Sequence, residues 1–309
     1  MNAHRLLAHL LIPVLLSACA ASAPKTVPGP DLPSPTAGGP TSSYPAPTQP
    51  DVVLVTPVSA ATAYPAEQAP TEAPPALPPE AILIHEPGPA SRIVSPLHVS
   101  GESNPTFEQS LQVLISGENN QTIAATSAQI QTEAGQRGPF SADVRFTTPN
   151  EQPGRITVSD ISARDGGILH LNSVEVTLLA SGAADLKSPS DLATEKIAIF
   201  SPSAGETVSG GSLEFSGYAG YVFEGVLNVK LCGEGGSGTP DPVCGTEDNI
   251  IAQGTIHLNS PDVGQPGPFN GALAYQISQP VQARLAVYSL SPRDGGLTHL
   301  NSVLVALAP

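Results

Sequence analysis

One stretch of this chain occurs twice. Arg164-Asp165-Gly166-Gly167-Ile168-Leu169-His170-Leu171-Asn172-Ser173-Val174 returns as Arg293-Asp294-Gly295-Gly296-Leu297-Thr298-His299-Leu300-Asn301-Ser302-Val303. Asp-Gly favours φ > 0 and tight hairpins, so each copy reads as a turn followed by the last strand of a folding unit. Other pairs align around it: Ser100-Gly101 with Ser216-Gly217, Phe107-Glu108 with Phe223-Glu224, and Gly138-Pro139-Phe140 with Gly267-Pro268-Phe269. A duplicated domain is the reading that satisfies all of them.

The texture between these landmarks is that of β-structure. Short alternating runs near 82–86, 93–101, 108–116, 121–131, 139–147, 154–162 and 170–179 are separated by turn residues, and nothing between them has helical periodicity. In the last run Val174, Val176 and Leu178 share one face while Glu175 and Thr177 take the other. The expectation is an all-β chain of two tandem immunoglobulin-like sandwiches, at 81–180 and 195–309, joined by a short polar connector. In the final strand Leu304 and Ala306 stand where the first copy has Glu175 and Thr177, which leaves that outward face more apolar.

The N-terminal part has a different character. Residues 1–19 carry His4 and Arg5, an apolar run from Leu6 to Leu16, and then Leu16-Ser17-Ala18-Cys19, the shape of a secretory signal. The tetrapeptide resembles the bacterial lipobox, which implies that Cys19 is acylated and becomes the mature N-terminus. Acyl chains there would anchor the protein, since each buried CH₂ contributes roughly 0.8 kcal/mol. The alternatives are an ordinary signal peptide with a chance cysteine, or a short uncleaved anchor. Residues 20–80 are rich in Pro, Ala, Ser and Thr and read as a disordered, polyproline-biased tether.

Composition narrows the function. With 12 basic against 27 acidic residues and a net charge of −15, the chain lacks what a phosphate-backbone binder needs, so nucleic acid is not an expected partner. Charged residues are 13% and tryptophan is absent, which suits small cores of Val, Ile, Leu and a few Phe. No Gly-x-Ser-x-Gly elbow, His-Glu-x-x-His or Walker lysine is found, so neither catalysis nor a cofactor is expected.

Three sets of side chains were weighed as sites. Arg164 with Asp165, and Arg293 with Asp294, are either a ligand-reading pair at each hairpin or, the preferred reading, a turn-building Asp beside an Arg that pairs with a neighbouring strand. His170 with Asn172, and His299 with Asn301, fall on the inward face and are expected to satisfy backbone groups. One His per repeat makes a poor metal site, so no metal is expected. Cys232 and Cys244 close a Gly- and Pro-rich loop unique to the second copy, and in an exported chain they are expected to form a disulfide, with a metal site or free thiols as alternatives. That loop is also a candidate recognition element.

The pattern of Ser-Pro, apolar-Ser-Gly, Phe-Glu, Gly-Pro-Phe and Arg-Asp-Gly-Gly resembles the immunoglobulin-like domain of bacterial spore germination proteins. Ser95-Pro96, Val99-Ser100-Gly101 and Phe107-Glu108 carry it in the first copy; Ile197 to Pro202, Phe215-Ser216-Gly217 and Phe223-Glu224-Gly225 carry it in the second. The resemblance implies a β-sandwich in envelope or sporulation-associated lipoproteins, with no catalytic activity assigned to the domain. The expected function is therefore a membrane-anchored, extracytoplasmic interaction module. Its expected partners are the membrane, through the lipid, and a cell-wall polymer or envelope protein; the alternative is a small-solute or carbohydrate binder using an interdomain cleft.

Overall fold

The computed structural model describes residues 76–189 and 193–309; Cys19, the signal segment and nearly all of the tether lie outside them. The first copy folds into β1 (Ile82–Glu86), β2 (Arg92–Ile93), β3 (Leu97–Ser103), β4 (Ser110–Ser116), β5 (Thr122–Ile130), β6 (Gly138–Val144), β7 (Gln152–Ile161) and β8 (Ile168–Leu178). The second gives β9 (Ile197–Ser201), β10 (Glu206–Val208), β11 (Ser212–Ala219), β12 (Val226–Cys232), β13 (Pro240–Asp241), β14 (Gly245–Thr246), β15 (Ile250–His257), β16 (Gly267–Ala274), β17 (Val281–Leu290) and β18 (Leu297–Leu307). No α-helix occurs among the described residues. The expected run at 93–101 is divided in two. Pro96, which has no N–H to give a ladder, falls in the gap, and Ser95 Oγ accepts a hydrogen bond from the Phe146 N–H at 3.0 Å.

Each copy is a two-layer sandwich. In domain 1, β1-β3-β6 faces β5-β4-β7-β8, and β5 turns the corner into β6 through Gln129↔Ser141 and Ile130↔Phe140. In domain 2, β9-β11-β16 faces β15-β12-β17-β18. The period of two places Val99, Val113, Ile156, Val158 and Val176 inward around Phe140, and Leu213, Leu227, Val229, Leu285 and Val305 around Phe269. Each Phe is 2% exposed and belongs to a repeated Gly-Pro-Phe. Burying one such ring contributes about 1.5–3 kcal/mol. Leu304 projects outward and is exposed, as its register predicts.

The two sandwiches share a sheet. β8 pairs with β18 in antiparallel register, Leu171 opposite Leu300 and Asn172 opposite His299, so that β5-β4-β7-β8-β18-β17-β12-β15 runs unbroken through both domains. Edge strands left open invite foreign pairing, and here each final strand occupies the edge of the other. The connector lies back along domain 1, with Asp185 and Arg92 exchanging backbone hydrogen bonds at 2.8 and 2.9 Å.

Candidate functional site: the seam between the repeats

Because Leu171 and Leu300 are equivalent residues, their direct pairing puts a local pseudo-twofold axis between them, and the contacts around it come in matched pairs. Ser173 Oγ donates to the Thr298 carbonyl at 2.7 Å, and Ser302 Oγ donates to the Leu169 carbonyl at 2.6 Å. Each Asp-Gly hairpin reaches the other domain. Asp294 accepts from Arg155 Nη2 at 2.9 and 3.1 Å, and Asp165 meets Arg284 Nη2 at 3.5 Å; all four side chains are 1% exposed. Arg155 also holds Glu175 at 2.7 Å, while Arg284 donates to the Ile168 and Val243 carbonyls at 2.7 and 3.0 Å. Burial pushes the Asp294 carboxyl up, but hydrogen bonds from Arg155, Arg293 and the Gly296 N–H outweigh it and hold the group well below the usual carboxylate range.

The same aspartates build their turns. Asp165 Oδ1 accepts from the Gly167 N–H at 3.0 Å, and Asp294 Oδ1 accepts from the Gly296 N–H at 2.9 Å. Arg293 pairs with Glu175 of β8 at 2.8 Å, whereas Arg164 pairs with Glu234 in the loop after β12 at 2.6 Å. The second glycine of each motif is needed for close approach. A Cβ at Gly296 would overlap Arg155 Nη1, and one at Gly167 would overlap Arg284 Nη2 and lie 2.6 Å from the Val243 carbonyl oxygen. Gly296→Ala and Gly167→Ala are therefore expected to destabilise the chain by about 1–3 kcal/mol each through overpacking, read as a lower urea midpoint with unchanged slope. An unchanged midpoint for both would refute this account of the motif.

Cys232 and Cys244 are joined by a disulfide. Their loop is not a free recognition tip. Pro242 accepts from the Ile168 N–H at 3.1 Å, and Val243 and Cys244 pack with Ile168, Leu171, Tyr288 and Leu300 in a cluster that fills the outer side of the seam. The apolar side of the loop braces the two domains, while Gly235, Ser237 and Thr239 stay exposed.

On the inner side of the seam the repeats converge. The lead-in segments pair antiparallel: the Glu80 N–H donates to the Ala193 carbonyl and the Glu195 N–H to the Pro78 carbonyl, both at 2.9 Å. That places Glu80 and Glu195 beside each other under β8 and β18. Asn172 and Asn301 donate to the Ile82 and Ile197 carbonyls at 2.8 Å, the backbone-satisfying role expected of them. The histidines do something else. His170 Nε2 lies 2.8 Å from Glu80 Oε1 and 3.7 Å from Glu195 Oε2, while His299 Nε2 lies 2.6 Å from Glu195 Oε1 and 3.9 Å from Glu80 Oε2. Their rings meet edge to face with centroids 5.2 Å apart. The picture of one isolated His per repeat is corrected here: the pseudo-twofold brings both together with two carboxylates.

Burial pushes the His299 imidazole down to about 3, and its Nδ1 has no hydrogen-bond partner. Burial also lowers His170, but the hydrogen bond to Glu80 and the charges of Glu195 and Glu80 outweigh it and raise that group. Burial raises the Glu195 carboxyl and lowers the Lys196 ammonium, whose Nζ donates to Asn172 Oδ1 at 3.0 Å.

Four residues central to this seam went unnoticed in the sequence: Arg155, Arg284, Glu80 and Glu195. Each had a signal. Arg155 and Arg284 stand at matched places beside apolar residues in their strands, the same distance before their Asp-Gly, and Glu80 and Glu195 each stand two residues before the first strand of a copy. A tether running to residue 80 is the expectation that Glu80 corrects: it is 1% exposed, packed under the final strands.

Two antiparallel layers per copy, with edges filled by the neighbouring copy, define a tandem immunoglobulin-like β-sandwich protein. The chain belongs to the family described as the immunoglobulin-like domain of bacterial spore germination, whose model matches residues 81–167 and 196–296. No curated protein sequence matches it. Among solved structures, it is similar to red sea bream transglutaminase (10% identity, 74% of this chain, 31% of that one, TM-score 0.26). It is also similar to the N-terminal Ig1-2 module of the Drosophila receptor protein tyrosine phosphatase DLAR (8% identity, 74% of this chain, 100% of that one, TM-score 0.21). A third is the titin z1z2 pair crystallised with telethonin (11% identity, 75% of this chain, 98% of that one, TM-score 0.17).

Proposed function

We propose that this chain is an extracytoplasmic, lipid-anchored and non-catalytic interaction protein of the cell envelope, acylated at Cys19 and related to germination, whose two sandwiches act as one binding unit. The observation that carries this reading is the seam. The polar residues of the repeated motif are consumed in joining the domains, so recognition falls to outer loops and sheet faces. The space a small solute would need between the domains is filled by Ile168, Leu171, Val243, Tyr288 and Leu300. Shallow surface depressions of about 310–510 Å³ are lined by one domain, or in one case by domain 1 with Ser181 and Gly182 of the connector. At matched turns the repeats expose an aromatic ring, Phe107 at 62% and Phe223 at 45%, the kind of side chain that anchors protein interfaces. No helix among the described residues is long and apolar enough to cross a membrane.

The test is capture from an envelope extract by the full chain. A specific envelope protein or wall polymer should be recovered, with recovery reduced by Phe107→Ser together with Phe223→Ser. Recovery of nothing specific, or a mature N-terminus without acyl mass, would refute the reading.

A further inference from the structure

We propose that Glu80, His170, Glu195 and His299 form a binding site for one divalent transition-metal ion of the zinc type, held across the seam with two ligands from each repeat. The four ligating atoms lie within 4.8 Å of one another, and all four residues are buried. Zinc bonds imidazole nitrogen and carboxylate oxygen at about 2.0–2.2 Å in a tetrahedron, which sets neighbouring ligand atoms roughly 3.3 Å apart. Each histidine Nε2 lies 2.6 or 2.8 Å from an oxygen of one carboxylate and 3.7 or 3.9 Å from an oxygen of the other, so both carboxylates are within reach of a shared ion. The two short ones are hydrogen-bond lengths; with a metal ion in place of those hydrogen bonds, each neutral imidazole would bond it through Nε2 and keep its one proton on Nδ1.

A second feature points into the same centre. Glu80 Oε2 is buried without any hydrogen-bond partner, 3.9 Å from His299 Nε2. A carboxylate oxygen so placed needs a cation or a proton. The local charge agrees. Lys196, the ammonium beside the carboxylates, gives its hydrogen bond to Asn172, and Asp160 faces His170 from β7. Around the two carboxylates backbone donors are in place. The Ile82 N–H donates to Glu80 at 3.4 Å, and the Ala81 and Ile197 N–H groups donate to Glu195 at 3.3 and 3.4 Å, which fixes both carboxylates toward the histidines.

The donor set selects the ion. Two imidazoles disfavour magnesium and calcium, which take oxygen ligands, and suit zinc or its neighbours. Four protein ligands in a buried setting leave no open coordination position, so the site is structural: it pins both lead-in segments to both final strands.

The experiment uses the full chain, stripped with a chelator and then titrated with Zn²⁺, Co²⁺ or Mg²⁺. One Zn²⁺ should bind per chain and raise the melting temperature, Mg²⁺ should do neither, and Co²⁺ should give the intense visible absorption of a tetrahedral site. Glu80→Gln with Glu195→Gln keeps the shape and the sheet signature in circular dichroism but should abolish the Zn²⁺-dependent shift; His98→Gln with His257→Gln, altering exposed histidines, should leave it intact. The proposal is overturned if the folded wild-type chain binds no Zn²⁺, as a network satisfied by protons alone would, or if the double glutamine variant binds it equally well.

Discussion

Asp294→Ala is expected to destabilise the chain by about 2–5 kcal/mol, because it strips the buried Arg155 guanidinium of its interdomain carboxylate and leaves it the half-exposed Glu175. Equilibrium urea unfolding checks it. The mirror change, Asp165→Ala, should cost less: Arg284 stands 3.5 Å from Asp165 and keeps two carbonyl acceptors at 2.7 and 3.0 Å, whereas Arg155 is held to Asp294 at 2.9 and 3.1 Å. The pair also has a pH signature. The folded carboxyl of Asp294 is held below its unfolded value, so the native state binds fewer protons than the unfolded one across that interval. Its contribution is present above about pH 4 and is lost as the pH falls further. The wild-type chain should therefore lose stability in acid more steeply than Asp294→Ala does. Equal acid slopes would place the stabilising contact elsewhere. Replacing both partners, Arg155→Met with Asp294→Leu, should recover most of the loss, since an apolar pair removes the desolvation cost of both charges.

Removing the Cys232–Cys244 bridge should cost about 3 kcal/mol, the loop-closure value for cysteines separated by 12 residues. For a body of this size that corresponds to a melting temperature lower by roughly 6–12 °C. The effect should also reach domain 1, which distinguishes a brace from a surface loop. Once the loop loosens, the Ile168 N–H loses the Pro242 carbonyl and Arg284 loses the Val243 carbonyl. Hydrogen exchange at Ile168 in Cys232→Ala with Cys244→Ala should rise together with exchange near residue 244. Faster exchange confined to the loop would show that it braces nothing.

The all-β architecture was legible because side-chain alternation, Asp-Gly turns and the paired landmarks are local signals, and each copy repeats them. Val174, Val176 and Leu178 face inward as their spacing predicts, and the repeated Gly-Pro-Phe delivers Phe140 and Phe269 to the two cores. The candidate site was legible only in part. His170, Asn172, Asp165 and their equivalents stood out because they recur, but recurrence says nothing about what a side chain meets. Arg155 and Glu80 drew no notice, since an isolated charge in a strand or at the end of a tether has many uses.

Taken alone, then, the sequence determined two sandwiches, their turns, and the one bridgeable pair of cysteines in the second copy. Tertiary structure decided that the copies meet through their final strands, with Leu171 opposite Leu300. That choice turned two aspartates into cross-domain partners and gathered two histidines and two glutamates into one buried centre. The physical reason is range. Turn chemistry and the period of two act between residues a few positions apart, whereas a pseudo-twofold contact joins positions more than a hundred apart, and only the packing of whole domains selects its register.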